Sequence, residues 1–116
     1  MKLPKMFRIA AIIATRGDSK SIKRQYRLAA VAQRSDGVIV GASNISNKSP
    51  CPEAHAERRL CGMITKDAIV YVVRIDRVGK LRMAKPCQKC QSYMRNKKVR
   101  KVFYSISPTE YGILIL

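Results

Sequence analysis

The chain has 116 residues, 47% of them hydrophobic, enough for one domain (1–116) with its own core and no need of disulfides. Twenty-four Lys and Arg against seven Asp and Glu give a formal charge of +17, which favours polyanionic partners, nucleic acid first. No stretch has the length of a transmembrane span, and no segment pairs a basic helical face with a bulky aromatic-rich one, so no membrane partner is expected.

The opening, MKLPKMFRIAAIIATRG, starts basic and turns apolar, as a short signal peptide does. Arg8 interrupts the apolar run, however. Met6, Ile9, Ala10 and Ile13 fall at i, i+3, i+4 and i+7, one helical stripe, and predict a first helix facing the core. Residues 15–25, TRGDSKSIKRQ, mix turn formers with Arg16, Lys20, Lys23 and Arg24 and predict a basic loop. Residues 26–44 hold two strand-like runs around Asp36-Gly37, a hairpin signal. A loop with Pro50 and Pro52 then leads into a helix from about Ala54 to Met63 or Ile64.

Residues 68–75, AIVYVVRI, are rich in β-branched side chains and suit a buried strand. DRVGKLRM reads as a turn with a short return segment. Pro86 precedes a helix over CQKCQSYMRNKK, and residues 99–106, VRKVFYSI, form another strand that Pro108 ends. YGILIL makes a last edge strand. Strands joined by helical crossovers indicate an α/β domain in three layers, α-β-α, around a mixed sheet.

Four cysteines permit two disulfides in an oxidising compartment, but their grouping near the single histidine points to metal binding in a reducing, intracellular (cytoplasmic) one. Cys87 and Cys90 form C-x-x-C, which by itself fits redox chemistry, metal binding or chance. At the start of a helix, i and i+3 put both sulfurs on one face. His55 and Glu57 are about 200° apart on an ideal helix, so they share a site only at a helix tip that faces it. His55 with two cysteines makes three zinc ligands; a catalytic zinc leaves its fourth position to water, and a structural one fills it with protein.

His55-Ala56-Glu57 followed by Pro86-Cys87-Gln88-Lys89-Cys90 matches the His-x-Glu and Pro-Cys-x-x-Cys signature of zinc deaminases. The chain therefore resembles the zinc-dependent cytidine and deoxycytidylate deaminase superfamily over most of its length, and the hairpin ends in GASN, close to a Gly-x-Asn or Gly-x-x-Asn pattern of that family. The resemblance implies a cytidine deaminase-like fold and a hydrolase that turns cytosine into uracil. His55, Cys87 and Cys90 would bind Zn2+, and Glu57 would shuttle protons. Zinc brings the pKa of its bound water to about 7, so hydroxide is at hand near neutrality to attack C4 of the ring. Glu57 would take the water's proton and deliver it to N3, and the tetrahedral carbon would expel ammonia. Asn44 would hydrogen-bond the sugar and the Ala56 N–H the base carbonyl. A homo-oligomer is in keeping with deaminases of this kind.

Arg58 and Arg59 directly follow the motif. With Lys23 and Arg24 they are candidate contacts to phosphate, so the expected substrate is single-stranded DNA or RNA, or a free cytidine nucleotide of the (d)CMP type. The cluster RNKKVRK, residues 95–101, has a plainer reading, because cations near a helix C-terminus are favoured by the dipole. Two rival readings remain open. An adenine-to-inosine deaminase acting on RNA also uses His-Ala-Glu. A closed zinc site with Cys51 as fourth ligand would make a non-catalytic, basic nucleic-acid-binding module, and Glu57 an ordinary first-turn glutamate. Cys61, one turn beyond Glu57, reads as a small core residue. Lys85, where the family often has Glu or Ser, and the long stretch Arg74–Lys85 depart from common patterns.

Overall fold

The computed structural model describes residues 5–17, 27–43, 64, 66–76 and 79–116. In chain order these form α1 (Lys5–Gly17), β1 (Arg27–Gln33), β2 (Ile39–Ser43), β3 (Ile69–Ile75), β4 (Leu81–Arg82), α2 (Gln88–Asn96), β5 (Lys101–Ser107) and β6 (Glu110–Ile115). The strands make one sheet in the order β2-β1-β3-β5-β6, with β4 paired to β3 off that path.

The central strand β3 is the β-branched run IVYVVRI, and it is lined on both faces: Val70 and Val72 point to one side, Val73 and Ile75 to the other. It pairs antiparallel with β1 and parallel with β5, so the sheet is mixed. The parallel pair needs a crossover, and α2 supplies it. The hairpin β1–β2 turns at Gly37, whose φ of +89° an L side chain rarely adopts. The Asp36 carboxylate accepts the Val38 N–H at 3.0 Å and the Arg34 guanidinium at 2.9 Å, tying the turn together.

The two faces of the sheet bury separate clusters. On one, Phe7 and Ala10 of α1 pack on Ala29, Val31, Val73 and Ile75, and Phe7 meets the rings of Tyr71 and Tyr111 edge-on at 6.2 and 6.0 Å. Burial among these groups pushes the Tyr71 phenol above its ordinary pKa. On the other face, Cys90 and Met94 of α2 pack on Ala30, Val70, Val72 and Val102. Helix, sheet and helix thus stack in three layers, as the alternation of elements predicts.

α1 departs from its predicted stripe at Ile9, while Met6 and Ala10 pack toward the sheet as expected. Phe7, Ala10 and Ala11 face the sheet, while Ile9 and Ile12 lie at the surface, 36% and 47% exposed. Apolar residues run nearly all round this helix, so periodicity alone leaves its rotation open. The ring contacts of Phe7 then select the face. Among the described residues no helix is long and apolar enough to cross a membrane.

Candidate metal centre

Cys87 and Cys90 sit at the amino end of α2. Cys87 is the N-cap residue, with extended backbone (φ −69°, ψ 168°), and its carbonyl accepts the Gln91 N–H at 2.9 Å, the first bond of the helix. Cys87 is exposed and Cys90 fully buried, so the pair spans the boundary between core and solvent. The first turn of α2 carries no acidic residue. The helix dipole favours anionic sulfur ligands at this end.

The extended segment leading to Cys87 is held from two directions. The Ala84 N–H donates to the Ser105 carbonyl at 2.8 Å, aligning the segment with β5. The Ser105 hydroxyl donates to the Arg82 carbonyl at 2.7 Å and accepts the Arg74 N–H at 3.4 Å, so one buried side chain joins β3, β4 and β5. The Gln91 amide donates to the Pro86 carbonyl at 2.8 Å, immediately before Cys87. Sequence reasoning passed over both residues. Ser105 was legible as the one small polar residue inside the run VFYSI, and Gln91 as an amide directly after the second cysteine.

β3 and β5 run in the same direction, and Ser105 marks their carboxyl end. β2 points the same way: Ser43 pairs with Ala29, and Ala29 with Val73. β2 therefore ends at the same end of the sheet as β3 and β5. In open α/β sheets ligands bind in the crevice outside the carboxyl ends of the strands.

His55, Ala56, Glu57, Asn44, Lys23, Arg24, Arg58 and Arg59 lie outside the described residues, as do Cys51 and Cys61 and the helix expected from about residue 54 to 64. Among the described residues, accordingly, no third His, Cys, Asp or Glu joins the two cysteines. The donor chemistry itself fits zinc: two cysteine sulfurs one helical turn apart, and a single imidazole elsewhere in the chain to complete a set of three. Tyr93 and Tyr104 lean on the α2-side core, and Tyr111 packs against Phe7 and Phe103.

The sequence profile of the cytidine and deoxycytidylate deaminase zinc-binding region matches residues 2–106. The chain belongs to this family. Its fold is that of solved cytidine deaminases. The enzyme from Burkholderia pseudomallei superposes with a TM-score of 0.62 at 16% identity, covering 93% of this chain and 91% of the other. That from Mycobacterium leprae gives 0.56 at 15% identity, over 91% and 87%. That from Mycobacterium tuberculosis gives 0.51 at 17% identity, over 88% and 89%. No curated protein matches the sequence. The family is a zinc-binding one, and the cysteine pair of this chain stands at the helix start where such a site would draw two of its ligands.

Proposed function

We propose that this deaminase-family protein converts cytosine to uracil in a phosphate-bearing substrate, with single-stranded nucleic acid favoured over a free (d)CMP-type nucleotide. The observation that carries the proposal is the placement of Cys87 and Cys90 on the first turn of α2, at the carboxyl ends of β3 and β5. The charge of +17 supports an anionic substrate, and a polymer more than a mononucleotide.

In this reading His55, Cys87 and Cys90 hold Zn2+. The metal, when bound, would supply the acidity that makes a water molecule nucleophilic near neutral pH. Glu57 would take a proton from that water and pass it to N3 of the ring, then take the proton of the hydroxyl on C4 and give it to the amine, so that C4=O forms as the C4–N bond breaks and ammonia leaves; a carboxylate can both accept and donate within one turnover. Asn44 holds the sugar, and the Ala56 N–H holds the base carbonyl. Arg58, Arg59, Lys23 and Arg24 hold phosphate. Ser105 and Gln91 keep the segment before Cys87 in place through the backbone bonds described above. A base stacked in duplex is out of reach of such a site, so duplex is a poor substrate.

The test compares cytosine deamination in a single-stranded oligonucleotide and in dCMP across a salt series. Neutralising roughly five phosphates gives a log–log salt slope of about −3.5 for single-strand binding. A flat response would transfer the activity to the small nucleotide. In parallel, the Glu57→Ala variant keeps about one zinc per chain and loses roughly 10²- to 10⁴-fold in rate. Undiminished turnover in that variant would remove Glu57 from the mechanism.

A further inference from the structure

The carboxyl end of α2 opens onto a cleft of about 380 Å³, lined by Lys66, Asp67, Arg95, Lys98, Val99, Arg100 and Leu116. It lies at the amino ends of β3 and β5, so the length of the helix separates it from Cys87: nine residues, or roughly 13 Å. Four cations and one carboxylate line it. They come from separate parts of the chain: Lys66 and Asp67 precede β3, Arg95 ends α2, and Lys98 and Arg100 lie between α2 and β5. Two backbone bonds bring these parts together. The Asp67 N–H donates to the Lys98 carbonyl and the Arg100 N–H to the Ala68 carbonyl, each at 2.9 Å.

A favourable helix dipole accounts for Arg95 at the end of α2. It does not account for Lys66 and Arg100, which the fold carries to the same concave surface from other segments. Nor do these charges enter an ion pair among the described residues. The ion pairs among the described residues join Arg34 to Asp36 and Arg82 to Asp76, and none of the four cations takes part. Lys98 also holds a left-handed backbone (φ +60°) at the position where helix ends usually place glycine. A cationic side chain is thus kept where glycine would be less strained.

We infer that this cleft binds the phosphodiester backbone of single-stranded nucleic acid, as a second contact surface remote from the metal centre. Convergent cations in an open cleft are the means by which proteins hold phosphates in a row without reading sequence. The inference rests on the nucleic-acid half of the proposed function and is independent of its chemistry.

The test measures binding of a fluorescent oligothymidine by anisotropy across a salt series, in wild type and in the Glu57→Ala background, so a chain that deaminates nothing can still pass or fail it. R95Q/R100Q is expected to weaken binding several-fold and to flatten the log–log salt slope by about 1.4, the share of two phosphates. K5Q/R8Q, which removes two exposed charges from α1, serves as the control. Equal losses in the two double variants would mean diffuse attraction and would overturn the site. Asp67→Asn removes the opposing carboxylate and suits the positive φ of this position, so it should fold and bind more tightly. Unchanged affinity there would count against the site even if the double variant failed to fold. Displacement of the oligonucleotide by inorganic phosphate at equal total phosphate would also overturn it, in favour of a single-phosphate pocket.

Discussion

At its amino end α2 carries Cys87 and Cys90 among backbone bonds that leave little play: Ala84 to Ser105, Gln91 to Pro86, and the Ser105 hydroxyl between β3 and β4. At its carboxyl end the same helix carries Arg95 and Lys98 beside an open cleft with a strained cap. The first end is built for position, the second for charge. A metal centre, as proposed for the first end, would need donor atoms held to a few tenths of an ångström, and the chain around the cysteines is tied down. Attraction to a phosphate chain tolerates a mobile lysine, and a few convergent cations are enough.

The largest expected effect lies at the positional end. Cys87→Ser changes an exposed residue, so the fold should survive while zinc content falls from about one per chain to a small fraction of it, taking deamination with it. Metal analysis of the purified variant decides this, and full zinc occupancy would break the contrast between the two ends. A smaller effect is expected from Ser105→Ala. That change strands the Arg82 carbonyl in a buried place and should cost about 1–3 kcal/mol in denaturant unfolding, with some zinc lost in proportion. Stability unaltered by this change would mean that β4 is held by other means. Smallest is Lys98→Gly. It relieves the left-handed strain and should add about 1 kcal/mol of stability while weakening oligonucleotide binding. The opposed signs are the point: a charge kept for binding at a cost to folding.

The helix end explains why Lys98 bears that strain. The Val99 N–H donates to the Met94 carbonyl at 3.1 Å and the Lys98 N–H to the Arg95 carbonyl at 3.0 Å, a Schellman closure with Val99 and Met94 packed in the same cluster. Gly112 shows the reverse case on the sheet. It pairs with Tyr104 across the strands, and any Cβ there would overlap the Tyr104 ring, so a missing side chain makes room for an aromatic one.

Much of the architecture was legible from residues near one another in sequence. Asp36-Gly37 announced its hairpin because a tight turn depends on local φ and on a side chain reaching two residues ahead. The run 69–75 announced a buried strand through its β-branched content, and Pro86 with the C-x-x-C announced the start of α2. Those signals are local; the spacing of the cysteine pair puts two sulfurs at one helix start, and its metal reading comes from the family resemblance. Whether His55 and Glu57 meet that pair, and where Asn44, Arg58 and Arg59 stand, falls outside the described residues and belongs to the proposed function.

Other features belong to tertiary structure alone. The rotation of α1 was decided by Phe7 meeting Tyr71 and Tyr111, rings more than sixty residues away in sequence, because an apolar helix has no preferred face until it is packed. Ser105 joins three strands only once β3 and β5 lie parallel. The cleft exists only because the turn before β3 is bonded to the loop after α2, bringing Lys66 alongside Lys98 and Arg100. By itself, then, the sequence determined the strands, the helix start and the placing of two cysteines there, since these follow from neighbouring side chains. Which charges converge and which apolar face is buried depend on contacts between distant segments, and those the tertiary structure decided.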